Sequence, residues 1–230
     1  MELGHMELGR MTWADVGVEA ESPILVVPVG SCEQHGPHLP LHTDTVVAVA
    51  LANALATARD DCVVSPPLTI TASGEHQDFP GTLSIGNDAM SAVVVELVRS
   101  AVWAWGVVFV NGHGGNVTAL HAATTVLARE RRRVVTWWIR VPGGDPHAGR
   151  IETSLMLALA PDAVRLDRAV AGAIPSHDEL VERGVRALSP TGVLGDPAGA
   201  SAEEGNRLFA ALADDLGATV AEWVERTGAR

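Results

Sequence analysis

Cysteine is scarce in this chain: only Cys32 and Cys62 occur. Their spacing excludes a disulfide framework and the paired pattern of a zinc ribbon. It predicts two reduced thiols in a cytoplasmic protein, with a ligand or nucleophile role for Cys32, beside Glu33, left open against an inert thiol. Basic residues are also few. Sixteen Lys and Arg stand against 28 Asp and Glu, a formal net charge of -12, which excludes nucleic acid or an anionic membrane surface as the main partner. The run Arg129 to Arg133 is broken by Glu130 and falls where a helix should end, a place that favours cations in any case. No apolar stretch is long enough to cross a bilayer. Ala92 to Val110 is interrupted by Glu96 and Arg99 and reads as a helix followed by a strand. The N-terminus is acidic and polar, unlike a secretory signal, and Met1 to Gly4 recurs as Met6 to Gly9. No other repeat, low-complexity tract or domain-separating linker occurs.

What is present is a chain of 230 residues, 47% hydrophobic, expected to form one domain across 1–230 with a substantial core. Strand-like runs alternate with helix-like ones, the pattern of a parallel sheet covered by helices. Ile24 to Val29 is an apolar run of strand length, followed by a helix from Thr43 or Asp44 to about Arg59. Cys62 to Ser65 is a short strand stopped by Pro66-Pro67. Asn87 predicts an N-cap for a helix from Asp88 to Trp105, with Met90, Val93, Val94, Leu97, Val98, Ala101 and Val102 at helical spacing. Val107 to Val110 is the next buried strand, then come a helix near Asn116 to Arg131 and a strand from Val134 to Val141. Glu152 to Ala160 reads as a helix, whereas Pro161 to Pro197 shows poor periodicity. Ser201 with Glu204 forms a capping box that opens a final helix to about Glu225. Trp103, Trp105, Trp137 and Trp138 read as core or interface residues.

The densest chemistry lies in Glu33-Gln34-His35-Gly36-Pro37-His38-Leu39-Pro40-Leu41-His42-Thr43-Asp44, directly after the first strand. Carboxylates and imidazoles together are the donor set of hydrolytic Zn, Mn or Fe sites. In an extended segment residues two apart point the same way, so Glu33 and His35 aim at one place. Asn111-Gly112-His113-Gly114-Gly115-Asn116 and His147-Ala148-Gly149-Arg150-Ile151-Glu152-Thr153-Ser154 each follow another predicted strand. Ligands of doubly wound sheets bind beyond the carboxyl ends of the strands, so parallel strands would deliver all three motifs to one edge. Each residue has a plainer reading as well. His113, among glycines that let the backbone approach a ligand, is either a ligand or an exposed turn residue. Asp44 is either a two-metal bridge or a helix cap, and Glu152 either a ligand or a dipole-stabilising acid. Asp145 either orients a histidine or forms a turn. His38 and His42 either support ligands or belong to the loop. Ser73 to Thr82, with Glu75 and His76, is either a substrate-facing wall or a surface turn.

At these segments the chain resembles the creatininase (creatinine amidohydrolase) family. The likeness rests on Pro28 to Pro40, Thr43-Asp44, Gly74-Glu75-His76 with Phe79 to Thr82, Asn111 to Asn116, and His147-Ala148-Gly149 with Glu152-Thr153-Ser154. Ala72 to Gln77, Pro142 to His147 and Thr191 to Pro197 are similar to the mycofactocin-system branch of that family. The resemblance implies a three-layer α/β/α sandwich around a mainly parallel sheet, a two-metal hydrolytic site and closed homo-oligomers. It implies that Glu33, Asp44 and His113 hold one divalent ion (Zn, Fe or Mn) and that His35 and bridging Asp44 hold a second. Family members proper carry an acid two residues after the motif histidine. Gly115 stands there in this chain, and Glu152 is expected to supply the missing carboxylate. His147 is expected as general acid, with Ser73, Glu75, His76, Gly114, Gly115 and Asp145 facing substrate. The implied substrate is the modified mycofactocin precursor peptide, cut to release its C-terminal Val-Tyr unit. A small cyclic amide or formamide is the alternative, and a non-enzymatic assembly protein a more distant one.

Overall fold

A computed structural model describes residues 7–16 and 22–228. Residues 1–6, with the first copy of the repeated tetrapeptide, lie outside them. A 3-10 turn at Leu8–Arg10 and the short helix α1 (Trp13–Val16) precede an alternation of strand and helix. It runs β1 (Ile24–Val29), α2 (Thr43–Ala58), β2 (Cys62–Val64), α3 (Gly86–Ser100), β3 (Gly106–Asn111), α4 (Val117–Arg129) and β4 (Val134–Trp138). Three helices follow: α5 (Arg150–Leu159), α6 (His177–Leu188) and α7 (Ala202–Thr227).

The four strands pair in the order β2-β1-β3-β4, all parallel. Their register sets Ile24 against both Cys62 and Gly106, and Val107 against Val134. β1 and β3 are buried along their whole length, as a central parallel strand covered on both faces must be. The pleat sends alternate side chains to opposite faces. Ile24, Val26, Val108 and Val110 pack with α2, α5 and α7 through Leu51, Leu155, Leu216 and Val220. Leu25, Val27, Val107 and Phe109 pack with α3 and α4 through Met90, Val94, Leu120 and Leu127. Each such side chain contributes about 1.5–3 kcal/mol on burial. The result is the expected three-layer α/β/α sandwich. None of the described helices is long and apolar enough to cross a membrane.

Several element boundaries differ from expectation, each for a local reason. α3 starts at Gly86 with Ile85 in the cap position, so Asn87 caps nothing. It ends at Ser100, because the Trp105 amide donates to the Pro23 carbonyl and draws that residue toward the sheet. β4 stops at Trp138, level with the end of its partner β3. Ser201 does cap α7 by accepting from the Glu204 amide, but the Glu204 carboxylate binds Arg150 and Ser154 instead of closing the box. A complete capping box, Ser176 with Glu179, opens α6 inside the poorly periodic region. Gly184, at φ 68°, breaks the period of that helix.

The β1–α2 and β3–α4 crossovers lie on opposite faces of the sheet, so a crevice opens between the carboxyl ends of β1 and β3. The N-terminus of α2 sits in that crevice. It fits because residues 30 and 112 lack side chains: a Cβ at Gly30 would lie 2.6 Å from the Thr45 amide nitrogen, and one at Gly112 2.5 Å from the Asp44 carbonyl oxygen.

Candidate metal centre

The loop after β1 brings Glu33 and His35 into the crevice, α2 brings Asp44, and the loop after β3 brings His113. All four are buried. Glu152 arrives from the first turn of α5, a quarter exposed, with Oε2 3.8 Å from His35 Nε2. Glu33, Asp44 and His113 form one compact group of donors, and His35, Asp44 and Glu152 another; within each, the donor atoms lie within 4.8 Å of one another. Asp44 belongs to both. Its Oδ1 is 3.1 Å from His35 Nε2 and its Oδ2 is 3.4 Å from His113 Nδ1.

The imidazoles are held from behind. His35 Nδ1 donates to the Glu33 carbonyl at 3.1 Å, and His113 Nε2 donates to the Ala72 carbonyl at 3.0 Å. Metal-ligating histidines use their second nitrogen in this way, which fixes the ring and bares the other nitrogen. Glu33 gives the strongest signal. Both of its carboxylate oxygens are buried without a hydrogen-bond partner. His113 Nε2 lies 3.0 Å from Oε2, but its N–H is directed at Ala72. Buried carboxylate oxygens without a donor are costly unless something positive meets them. A divalent cation fits that need, and the mixed O and N donors suit Zn, Fe or Mn.

The electrostatics agree. Burial alone would depress His35 and His113, but facing carboxylates, chiefly Asp44 for His35 and Glu33 for His113, hold both at about 10. Burial would raise Asp44, yet His35 and His113 pull it to about 2. Burial pushes Glu33 up to about 8 and Glu152 up to about 7, against the pull of His113 and His35 respectively.

The other expected residues divide. Ser73, Glu75, His76, Gly114 and Gly115 surround the centre. Glu75, His76, Gly114 and Gly115 line a cavity of about 460 Å³ together with Asp44, His113, His147 and Glu152. Ser73 Oγ is 3.5 Å from His113 Nε2. A Cβ at Gly115 would fall 2.1 Å from Glu75 Oε1 and 2.4 Å from His113 Nε2, so the Glu75 carboxylate occupies the space a side chain at 115 would need. Asp145 is not among the residues lining that cavity. Its oxygens accept from the Arg150, Ile151 and Asp196 amides, which caps α5 and ties down the 196 loop.

His147 is buried at the centre. Its Nε2 lies 2.7 Å from the Gln34 carbonyl and 3.0 Å from the Gln34 side-chain amide nitrogen, and burial together with neighbouring His35 and His76 pushes its pKa well below 6.5. His38 is buried with Nε2 2.9 Å from Thr153 Oγ1, whereas His42 is exposed. Cys32 reaches only the Gly81 carbonyl, at 3.6 Å. Sequence reasoning missed Gln34. Its amide nitrogen contacts His76 Nδ1 at 2.8 Å and the Gly192 carbonyl at 3.1 Å, and its Oε1 accepts from the Gly36 amide at 2.9 Å. Its position between Glu33 and His35 was the available signal.

Comparison with known proteins gives the same picture. The family model described as creatinine amidohydrolase matches residues 9–220. A protein of Mycobacterium tuberculosis (strain CDC 1551 / Oshkosh) named mycofactocin precursor peptide peptidase is 47% identical over 232 residues, covering 95% of this chain and 92% of that protein. Creatinine amidohydrolase of Pseudomonas putida is 30% identical over 238 residues, covering 88% of this chain and 91% of that protein. The solved structure of a creatininase mutant of the Zn-Zn type superposes with a TM-score of 0.83 at 26% identity, covering 95% of this chain and 98% of the other. With an acid–imidazole crevice at the carboxyl end of a parallel sheet, and matches along nearly its whole length, the chain belongs to the creatininase family.

Proposed function

We propose that this protein is a metal-dependent amide hydrolase that cleaves the modified C-terminal Val-Tyr unit from the mycofactocin precursor peptide. The substrate follows from the name borne by the 47% identical relative. The chemistry follows from one observation above all: the buried Glu33 carboxylate, whose oxygens accept no well-aligned hydrogen bond, beside His35, Asp44 and His113. Glu33, Asp44 and His113 would hold one divalent ion, and His35, Asp44 and Glu152 a second. Bound there, such ions would supply Lewis acidity toward an amide carbonyl and lower the pKa of water.

The chain's own groups do the rest. Asp44 offers one oxygen to each half of the centre. Glu152 accepts from the Ala148 amide at 2.6 Å, which aims its carboxylate at His35, and burial raises its pKa above the usual carboxylate range. Its position is bought by an unusual backbone, since Ala148 is one of two non-glycine residues at positive φ among the described residues. The cavity has an apolar side formed by Leu180, Val185 and Leu194, and among the described residues no Arg or Lys lines it. That lining suits an aliphatic or aromatic terminal residue without a free carboxylate, as oxidative decarboxylation of the precursor would leave.

The test pairs metal analysis of the purified protein with mass spectrometry of the modified precursor after incubation. Creatinine and a formamidopyrimidine serve as competing substrates. His113→Ala is expected to lose metal and peptide cleavage together, and a fully active His113→Ala enzyme would refute the assignment.

A further inference from the structure

The cavity at the centre has a smaller neighbour, of about 160 Å³. Asp44, Glu152 and Pro146 line both, so the two cavities meet at acids of the centre. Their apolar walls come from different parts of the fold. In the larger cavity the wall is Leu180 and Val185 of α6 with Leu194. In the smaller it is Val47 of α2, Ile139 and Val141 beyond the end of β4, and Ile151 and Leu155 of α5. Val47 and Leu155 are buried parts of the core, whereas Ile139, Val141 and Ile151 pack against it and stay partly open. The polar groups of the smaller cavity are engaged elsewhere. Thr43 Oγ1 donates to the Pro40 carbonyl at 2.7 Å, and both Asp145 oxygens accept backbone amides. Among the described residues no Arg, Lys or His lines it. An apolar recess edged by carboxylates suits an uncharged aliphatic group and rejects an anion.

Size narrows the occupant. A dry apolar cavity of about 150 Å³ takes one benzene ring, so this recess admits a valine or leucine side chain and not an indole. Consecutive residues of an extended peptide point to opposite sides. A Val-Tyr unit lying across the centre therefore addresses both apolar walls, one side chain to each, and the larger ring with its hydroxyl belongs in the larger cavity. We propose that the smaller cavity is the subsite for the valine side chain of the released unit, and that Val141 sets the size of residue accepted there. The inference rests on the peptide-hydrolase reading above and adds to it the residue on the leaving side of the cut bond.

The experiment uses the metal-loaded full chain and modified precursor peptides carrying Ala, Val, Leu or Trp at the valine position, with cleavage followed by mass spectrometry. Wild type should favour Val over Ala at least about tenfold in kcat/KM and reject Trp, since one methylene in an apolar pocket is worth about 10–200-fold. Val141→Phe fills the recess and should invert the order of Val and Ala. Val141→Ala enlarges it and should raise Leu relative to Val at least about tenfold. Zn²⁺ content and melting temperature, read on the same samples, certify that each variant is folded. An unchanged order of peptides in the folded variants, or a wild type that cuts the Ala, Val and Trp peptides equally, overturns the proposal and leaves the hydrolase reading intact. A wild type that cuts none of the peptides overturns both.

Discussion

Gly115→Ala replaces a hydrogen with a methyl group, and the structure says where it collides. The new Cβ would stand 2.1 Å from Glu75 Oε1, 2.4 Å from His113 Nε2 and 2.7 Å from the Ala72 carbonyl oxygen. Glu75 is the tip of a flexible, partly exposed side chain and can swing away. His113 and Ala72 cannot yield independently, because they are hydrogen-bonded to each other at 3.0 Å. To restore an ordinary contact of about 3.4 Å, His113 must retreat by about 1 Å, several times the roughly 0.2 Å latitude of a metal–ligand distance. Overpacking of this kind costs about 1–3 kcal/mol, or roughly 2–12 °C of melting temperature in a chain of this size. A displaced ligand should also weaken one metal at least tenfold. Gly114→Ala is the control, since a Cβ there meets nothing within 4 Å and should change stability by less than about 0.5 kcal/mol. Calorimetric melting and metal stoichiometry of both variants decide the matter. If Gly115→Ala matched Gly114→Ala in both measurements, the packing argument at this site would be wrong.

Metal-free protein should lose stability as pH rises. The stabilising effect of His35 and His113 is full below 6.5 and lost toward about 10, and Glu33 adds to the loss between 4.5 and about 8. Asp44 has the opposite sign, its contribution present above 3.8 and lost as pH falls through about 2. Urea midpoints from pH 6.5 to 10 should therefore fall without metal and flatten with Zn²⁺, and a flat metal-free profile would contradict this reading. Because metal must displace the protons on those imidazoles, Zn²⁺ binding should release protons, measurable by calorimetry in buffers of different ionisation heat. Asp145→Ala removes the carboxylate that caps α5 and should cost about 1–2 kcal/mol in thermal melting, with metal content unchanged; lost metal would mean that Asp145 serves the centre directly.

The layers of the fold were legible because Ile24 to Val29 and Val107 to Val110 are uninterrupted apolar runs, and central parallel strands demand that. The meeting of Glu33, His35, Asp44 and His113 was legible for a topological reason. Parallel strands end on one side, so polar segments that follow them share an edge. What stayed hidden depends on partners distant in sequence. Gln34 finds His76, His147 and Gly192 across 42, 113 and 158 residues. His147 Nε2 meets the main-chain carbonyl of Gln34, 113 residues away, a contact no side-chain pattern encodes. Asp145 looked like a ligand-orienting acid because its role as a cap depends on how the chain turns after Pro146.

Asp44 shows how the coordinates separate two readings that its position alone could not. An acid in the first turn of a helix ordinarily accepts hydrogen bonds from the free amides there. Asp44 is not seen to accept from any backbone amide. Its Oδ2 takes the Ser31 hydroxyl at 2.6 Å, and its two oxygens turn outward to His35 and His113. The cap position before it, His42, makes no side-chain cap either. The helix therefore contributes the field of its N-terminus, which favours the charged carboxylate, while leaving both oxygens free to face the crevice. Delivering them there requires α2 to press against the ends of β1 and β3, and Gly30 and Gly112 give it room. A side chain at either glycine would push away the one acid that joins the two halves of the centre.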